Sequence, residues 1–229
     1  MTHWSDILAV FDTETTGINT RDDRLVTAYV GVVNRAGDLL ESHSWLANPG
    51  VPIPDRAAEV HGITTEKAIA EGADATQVVG EVVEVLREIL ARPLPLVVYN
   101  ASFDLSLIHH EAIRHGITPL DDPRPVIDPL VIDRALDQYR KGKRTLDTVS
   151  AHYGVTNPAA HDAEGDAITT GRVVHQLVEA FPDQLSVSAD ELHDQQIVWA
   201  KAWEDNFYDY LERNGKPRPQ SRGAWPNGR

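Results

Sequence analysis

The chain has 229 residues with 35 acidic against 21 basic side chains, a formal net charge of -14, no cysteine, 41% hydrophobic and 24% charged residues. Disulfides and thiolate metal sites are excluded, no apolar run reaches the ~20 residues a membrane helix needs, and the acidic balance excludes a protein that coats nucleic acid through clustered Lys and Arg. At this length one generous domain, alone or with an appendage, buries a core without covalent staples; the start MTHWSDILAVFDTE has no basic region followed by a long apolar stretch, so a soluble cytoplasmic protein is expected.

In chain order, Ile7 to Phe11 is a short apolar run leading into Asp12, Glu14 and the turn residues Thr16 and Gly17, which predicts a buried strand with acids at its end. Leu25 to Val33 and Leu39 to Leu46, joined by a polar segment containing Gly37, predict an antiparallel continuation. The Pro- and Gly-rich segment 48–54 marks a surface connection, after which helix resumes. Val79, Val82, Val83, Leu86, Ile89 and Leu90 recur at three- and four-residue steps, so an amphipathic helix runs from Thr76 to about Arg92 and is ended by Pro93 and Pro95. A strand over Leu96 to Tyr99, a helix from about Phe103 to His115 and a short strand at Pro125 to Asp128 follow. Helical patterns then fill 130–139, 145–153, 163–181 and 189–213. This order suggests an α/β domain whose sheet begins antiparallel and continues parallel through helical crossovers.

The chain divides into a domain at 1–185, a helical extension at 186–213 and a basic tail at 214–229, whose Pro and Gly predict flexibility. Trp199, Trp203, Phe207 and Leu211 make one apolar stripe on the extension, read as core packing ahead of a partner site. A DNA polymerase or another replication or repair protein would dock through this helix or the tail. The acidity is uneven: residues 1–212 carry 16 bases against 35 acids, while 213–229 carry Arg213, Lys216, Arg218, Arg222 and Arg229 and no acid.

Three segments concentrate chemistry. Asp12 and Glu14, two apart on a strand, share one face; with no Lys or Arg adjacent, a divalent cation is the natural compensator of their repulsion, although two solvated acids would give the same pattern. Asp104, four residues after Asn100, stands where the macrodipole favours an acid at a helix start. His161 precedes Asp166 by five residues at the start of another helix, where capping acids, or a titratable base beside a metal ligand, both fit.

Taken together, Asp12-Thr13-Glu14-Thr15-Thr16-Gly17, Asn100-x-x-Phe103-Asp104 and His161-x4-Asp166 resemble the three motifs of the DnaQ-like family, the 3′-to-5′ exonucleases with a DEDDh site, which includes the proofreading exonuclease domain of the DNA polymerase III epsilon subunit. The resemblance spans about Ile7 to Phe181, and Val60-His61-Gly62-Ile63-Thr64 resembles a family segment beside the substrate's 3′ end. It implies an RNase H-like α/β fold with a five-stranded mixed sheet flanked by helices, in agreement with the element order. It also implies two Mg²⁺ or Mn²⁺ ions on Asp12, Glu14, Asp104 and Asp166, with His161 as general base. Hard carboxylate oxygens suit such ions, a two-metal clamp stabilises both attacking and leaving oxygens, and a histidine accepts a water proton near neutral pH. The implied reaction releases nucleoside 5′-monophosphates from a DNA 3′ end, single strands preferred, with an RNA 3′ end as the alternative substrate. Tyr99 stands where the family frequently has a histidine, outside the ligand set, and Asp162 and Glu164 fall outside the ligand positions.

For the terminal nucleotides the candidates are the backbone around Thr13 and the side chains of Thr16, His61, Asn100 and Phe103. Phe103 serves equally as a stacking platform or a core residue, and His61 as a contact or a plain loop histidine. The run Arg140-Lys141-Gly142-Lys143-Arg144 offers Lys143 and Arg144 as phosphate guides, or else makes a solvated turn. His110 and His115 are five apart, one too many for the helical zinc-protease motif, and no P-loop is present. The reading from a different class is a non-catalytic binding module of the same fold; the intact acids and histidine argue against it.

Overall fold

A computed structural model describes residues 3–157, 161–219 and 223–228. Strand β1 (Ile7–Thr15) lies at the centre of the sheet. Leu8 to Phe11 are fully buried on both of its faces, so this run has no polar alternation and belongs between two helical layers. On one side β1 pairs antiparallel with β2 (Leu25–Asn34), which pairs antiparallel with β3 (Leu39–Asn48). The chain then forms α1 (Asp55–His61), α2 (Thr65–Glu71), the two-residue strand β4 (Ala73–Asp74) and α3 (Ala75–Leu90). Strand β5 (Leu96–Val97) returns beside β1 in parallel, α4 (Ala101–Arg114) follows, and β6 (Val126–Ile127) pairs parallel with β5. The remaining elements are α5 (Pro129–Leu136), α6 (Leu146–His152), α7 (Ala163–Ala180), the short α8 (Pro182–Leu185) and α9 (Ala189–Arg213).

The sheet order is β4-β3-β2-β1-β5-β6, six strands where five were expected. The additional strand is β4, which pairs parallel with Ala47 and Asn48 over two residues, too short to show any periodicity. A second difference matters more: β1 runs on to Thr15, so Asp12 and Glu14 lie within the paired strand, opposite Tyr29 and Thr27 of β2, and the bulge falls just after Glu14. Pairing on the β2 side fixes both carboxylates to a rigid element.

Two cores flank the sheet. One joins Ala9 and Phe11 to α3 and α4 through Val79, Leu86, Leu105 and Ile108; the other joins Leu8 and Val10 to α7 through Val173, Val174 and Leu177. Gly171 lets α7 approach closely, because a Cβ there would stand 3.0 Å from Val10 Cγ1 and 3.2 Å from Val33 Cγ2.

The extension and tail pack onto this body. In α9, Gln196 Oε1 accepts from the Asp128 amide at 2.7 Å and its Nε2 donates to the Val126 carbonyl at 3.0 Å, tying the helix to β6. The apolar stripe is divided: Trp199 packs against both cores and Leu211 is buried, whereas Trp203 is 39% exposed. The tail, expected to be flexible, brings Trp225 back into the core at 9% exposure, its ring 5.0 Å from that of His193 and its Nε1 donating to Asp128 Oδ2 at 3.2 Å. An indole buries too much apolar area to be left in water when a site accepts both ring and N–H. Arg222 and Arg229, counted in the basic tail, lie outside the described residues. Among the described residues no helix is long and apolar enough to cross a membrane.

Candidate active site

The site is built from β1 and the first turns of two helices. Strand geometry puts Asp12 and Glu14 on one face, and α7 brings Asp166 to them: one carboxylate oxygen from each of the three lies within 4.8 Å of the others. Asp104, buried in the first turn of α4, stands beside this group; its Oδ1 accepts from the Thr13 hydroxyl at 2.6 Å. Helix α4 starts at Ala101, two residues ahead of the predicted start, because Asn100 adopts a left-handed conformation (φ 60°) and turns the chain directly out of the sheet. Buried Asp128 secures that turn, its carboxylate accepting from the amides of Asn100 (3.0 Å), Ala101 (2.9 Å) and Leu130 (3.0 Å).

Proton affinities in the cluster are raised. Burial, then the negative charges of Asp104, Glu14 and Asp166, pushes Asp12 well above the ordinary carboxylate range. Glu14 is pushed up to about 8 by burial and by Asp166 and Asp104. Asp104 is pushed up to about 7 by burial, against the opposing hydrogen bond from Thr13. Asp166 is raised by burial and partly restored by Asn157, whose Nδ2 donates to Oδ1 at 2.7 Å, and by the His161 amide at 3.2 Å. None of the four acids pairs with a Lys or Arg among the described residues. Oxygen ligands that close together, without a compensating side chain, fit one or more hard divalent cations.

An open cleft of about 500 Å³ lies over the acids and includes Tyr99, Asn100, Phe103 and His161 on its walls. His161 is exposed at a left-handed position (φ 66°), on the wall of the cleft and open to solvent. The other candidates fall differently. Thr16 does not line the cleft: its hydroxyl donates to Asp23 at 3.0 Å and accepts from the Arg24 amide at 2.9 Å. His61 ends α1 next to left-handed Gly62, with its Nδ1 accepting from the Ile63 amide at 3.2 Å and its proton affinity lowered by burial. Lys143 and Arg144, read together as phosphate guides, separate. Lys143 is exposed, while Arg144 donates to Asp133 Oδ2 at 2.5 Å and to the Asp133 and Asp137 carbonyls, locking the end of α5. Arg144 still reaches the wall of the cleft.

Sequence reasoning missed Asn157, which holds Asp166; Asp128, which holds the start of α4; and Arg134, which lines the cleft. An Asn nine residues before an acid carries no local signal. Asp128 before Pro129 does signal a helix N-cap, but not its reach to α4.

The profile of the RNase T exonuclease family matches residues 9–174. A DNA polymerase III subunit epsilon-like protein from Rhodobacter capsulatus is 34% identical over 176 residues, which is 75% of this chain and 24% of that protein. A PolC-type DNA polymerase III from Lacticaseibacillus paracasei is 27% identical over 168 residues, 73% of this chain and 11% of that protein. The chain thus spans about a quarter or less of the length of these curated relatives. Among solved structures, E. coli exonuclease I in complex with a dT13 oligonucleotide superposes with a TM-score of 0.63 at 17% identity, over 78% of this chain and 42% of that one. Exonuclease X in complex with 5′ overhanging duplex DNA gives 0.56 at 19% identity, over 81% and 99%. At these identities the two structures establish a shared fold.

Proposed function

Because the chain belongs to the RNase T family of exonucleases, we propose that it hydrolyses phosphodiester bonds in the 3′-to-5′ direction, releasing nucleoside 5′-monophosphates from a DNA end, single strands preferred. The observation that carries this reading is the set of Asp12, Glu14 and Asp166 oxygens within 4.8 Å of one another, with Asp104 beside them, at the floor of an open cleft. Asp12, Glu14, Asp104 and Asp166 would hold two Mg²⁺ or Mn²⁺ ions, which when bound neutralise charge on the attacking and departing oxygens. His161 accepts the proton of the attacking water at a ring nitrogen, its exposed position letting it pass that proton to solvent. Asn100 and Phe103 meet the terminal nucleotide from the α4 side, the phenyl ring offering a surface indifferent to base identity. Thr13 orients Asp104 through its hydroxyl, while Thr16, bonded to Asp23, and His61, bonded to the Ile63 amide, hold the local turns after β1 and α1. A DNA polymerase, named in both curated relatives, is the proposed partner, meeting the outer face of α9 where Val198 and Tyr210 are exposed.

The test is digestion of 5′-labelled single-stranded DNA, duplex DNA and RNA with free or blocked 3′ ends. With Mg²⁺ or Mn²⁺ a one-nucleotide ladder is expected from free ends, fastest on single-stranded DNA, and EDTA should abolish it. Asp12→Ala and Asp166→Ala should be inactive, and His161→Ala should slow the rate about 10²- to 10⁴-fold. Release from blocked ends, or undiminished activity of Asp12→Ala, would overturn the reading. Faster digestion of RNA would reassign the substrate.

A further inference from the structure

The cleft over the acids adjoins a second, larger cavity of about 850 Å³, with which it shares Arg134, Arg144 and Thr145 on its walls. In a chain of net charge -14 this groove is lined by Arg134, Arg140, Lys143 and Arg144 and by no acid. Its far wall is α9, through Trp199 and Trp203, beyond residue 174 where the family match ends.

The four cations are not equivalent. Arg140 and Arg144 are committed to Asp133, each at 2.5 Å, and Arg140 to Asp137 at 2.7 Å. Arg134 and Lys143 make no side-chain hydrogen bond or ion pair with any described residue. Arg134 is held in another way: its guanidinium carbon lies 3.7 Å from the centroid of the Trp203 ring, and Trp203 in turn stacks on Phe207 at an interplanar angle of 12°. A cation–π contact fixes the guanidinium plane without using an N–H, so its donors stay available in a fork that matches two oxygens of a phosphate. An oriented, partly buried and unpaired guanidinium beside a cleft for a nucleotide end calls for an anion that continues from that end.

We propose that this groove binds the polynucleotide strand on the 5′ side of the scissile bond, with backbone phosphates on Arg134 and Lys143. The proposal rests on the exonuclease reading and adds a direction of exit: the terminal nucleotide lies over the acids, and the strand leaves between the 137–145 loop and α9. The Trp203 to Phe207 stack acts as the brace for Arg134.

Two substrates separate the groove from the catalytic cluster. The p-nitrophenyl ester of thymidine 5′-monophosphate presents a scissile phosphate with no phosphate upstream, whereas oligothymidylates of two to eight nucleotides add upstream phosphates one by one. With Mn²⁺, the KM of the unaltered protein is expected to fall about tenfold or more as the oligomer lengthens. Arg134→Gln and the exposed-site variant Lys143→Gln should flatten that length dependence and its sensitivity to salt, and should lose at least fivefold more kcat/KM on the octamer than on the ester. Trp203→Ala should act in the same direction. An unchanged length dependence in Lys143→Gln and in a folded Arg134→Gln, or equal losses on ester and octamer, would overturn the proposal. If the unaltered protein cleaves neither substrate, the exonuclease reading itself falls; if it cleaves both and the variants keep their length dependence, only the groove does.

Discussion

Asp12, Glu14 and Asp104 hold their protons more tightly in the folded chain than an unfolded carboxylate near 4 would, and this has a measurable sign. As pH rises through the region between about 4 and the folded values, the unfolded chain gives up these protons first, so stability declines. His61, His175 and His193 oppose this below about 6.5, because burial lowers their proton affinity and folding then gains as they lose charge. The clean window lies above that point, where Glu14 (about 8) and Asp104 (about 7) still titrate. In EDTA the melting temperature is expected to fall from pH 6.5 to 8.5, and Mn²⁺ should reverse the trend. Glu14→Gln, which removes from the cluster a carboxylate mostly ionised at pH 8.5, should melt higher than the parent in EDTA at that pH while losing the response to Mn²⁺; a lower melting point would contradict the repulsion. At this scale the four acids of the cluster were legible in the sequence because each sits at a fixed offset in a short local segment. Arg134 was not: its availability follows from Arg140 and Arg144 being taken by Asp133, a fact of tertiary packing.

Helix α7 carries Asp166 in its first turn and packs against β1 and β2, so its distance from the sheet sets where that carboxylate arrives. Gly171 makes this distance short. Gly171→Val would force two further carbons into a space where even a Cβ lies 3.0 Å from Val10, with an expected overpacking cost of about 1–3 kcal/mol. Chemical denaturation would read that loss, together with a weaker Mn²⁺ response as Asp166 is lifted away; full stability would show that the layers part without cost. The elements themselves were largely readable, since β1 to β3 and α3, α7 and α9 are long enough to display a period. What escaped was short or set by partners. Strand β4 has two residues, and the continuation of β1 through Asp12 and Glu14 depends on the strand opposite rather than on local hydrophobicity.

Over the whole molecule, the C-terminal segment completes the site by a route running through one carboxylate. Trp225 donates to Asp128, Asp128 accepts the amides that start α4, and α4 presents Asp104. Trp225→Ala removes a buried ring and one of the donors to Asp128, with an expected loss of about 3–5 kcal/mol and weaker Mn²⁺ binding by titration calorimetry. Trp225→Phe, which keeps the packing and lacks the N–H, should fall between the two; melting of Trp225→Ala at the parental temperature would disconnect the tail from the site. Composition alone pointed to a loose basic tail, because nothing local to a Pro- and Gly-rich stretch announces that its tryptophan has a socket some hundred residues upstream. The same connection orders events during synthesis. Trp225 follows Asp166 by 59 residues, about 3–12 s of elongation at ~5–20 residues per second. Through that interval a growing chain owns all four acids of the cluster but lacks one of the contacts that hold Asp128, so full-strength Mn²⁺ binding is expected only after translation has passed residue 225.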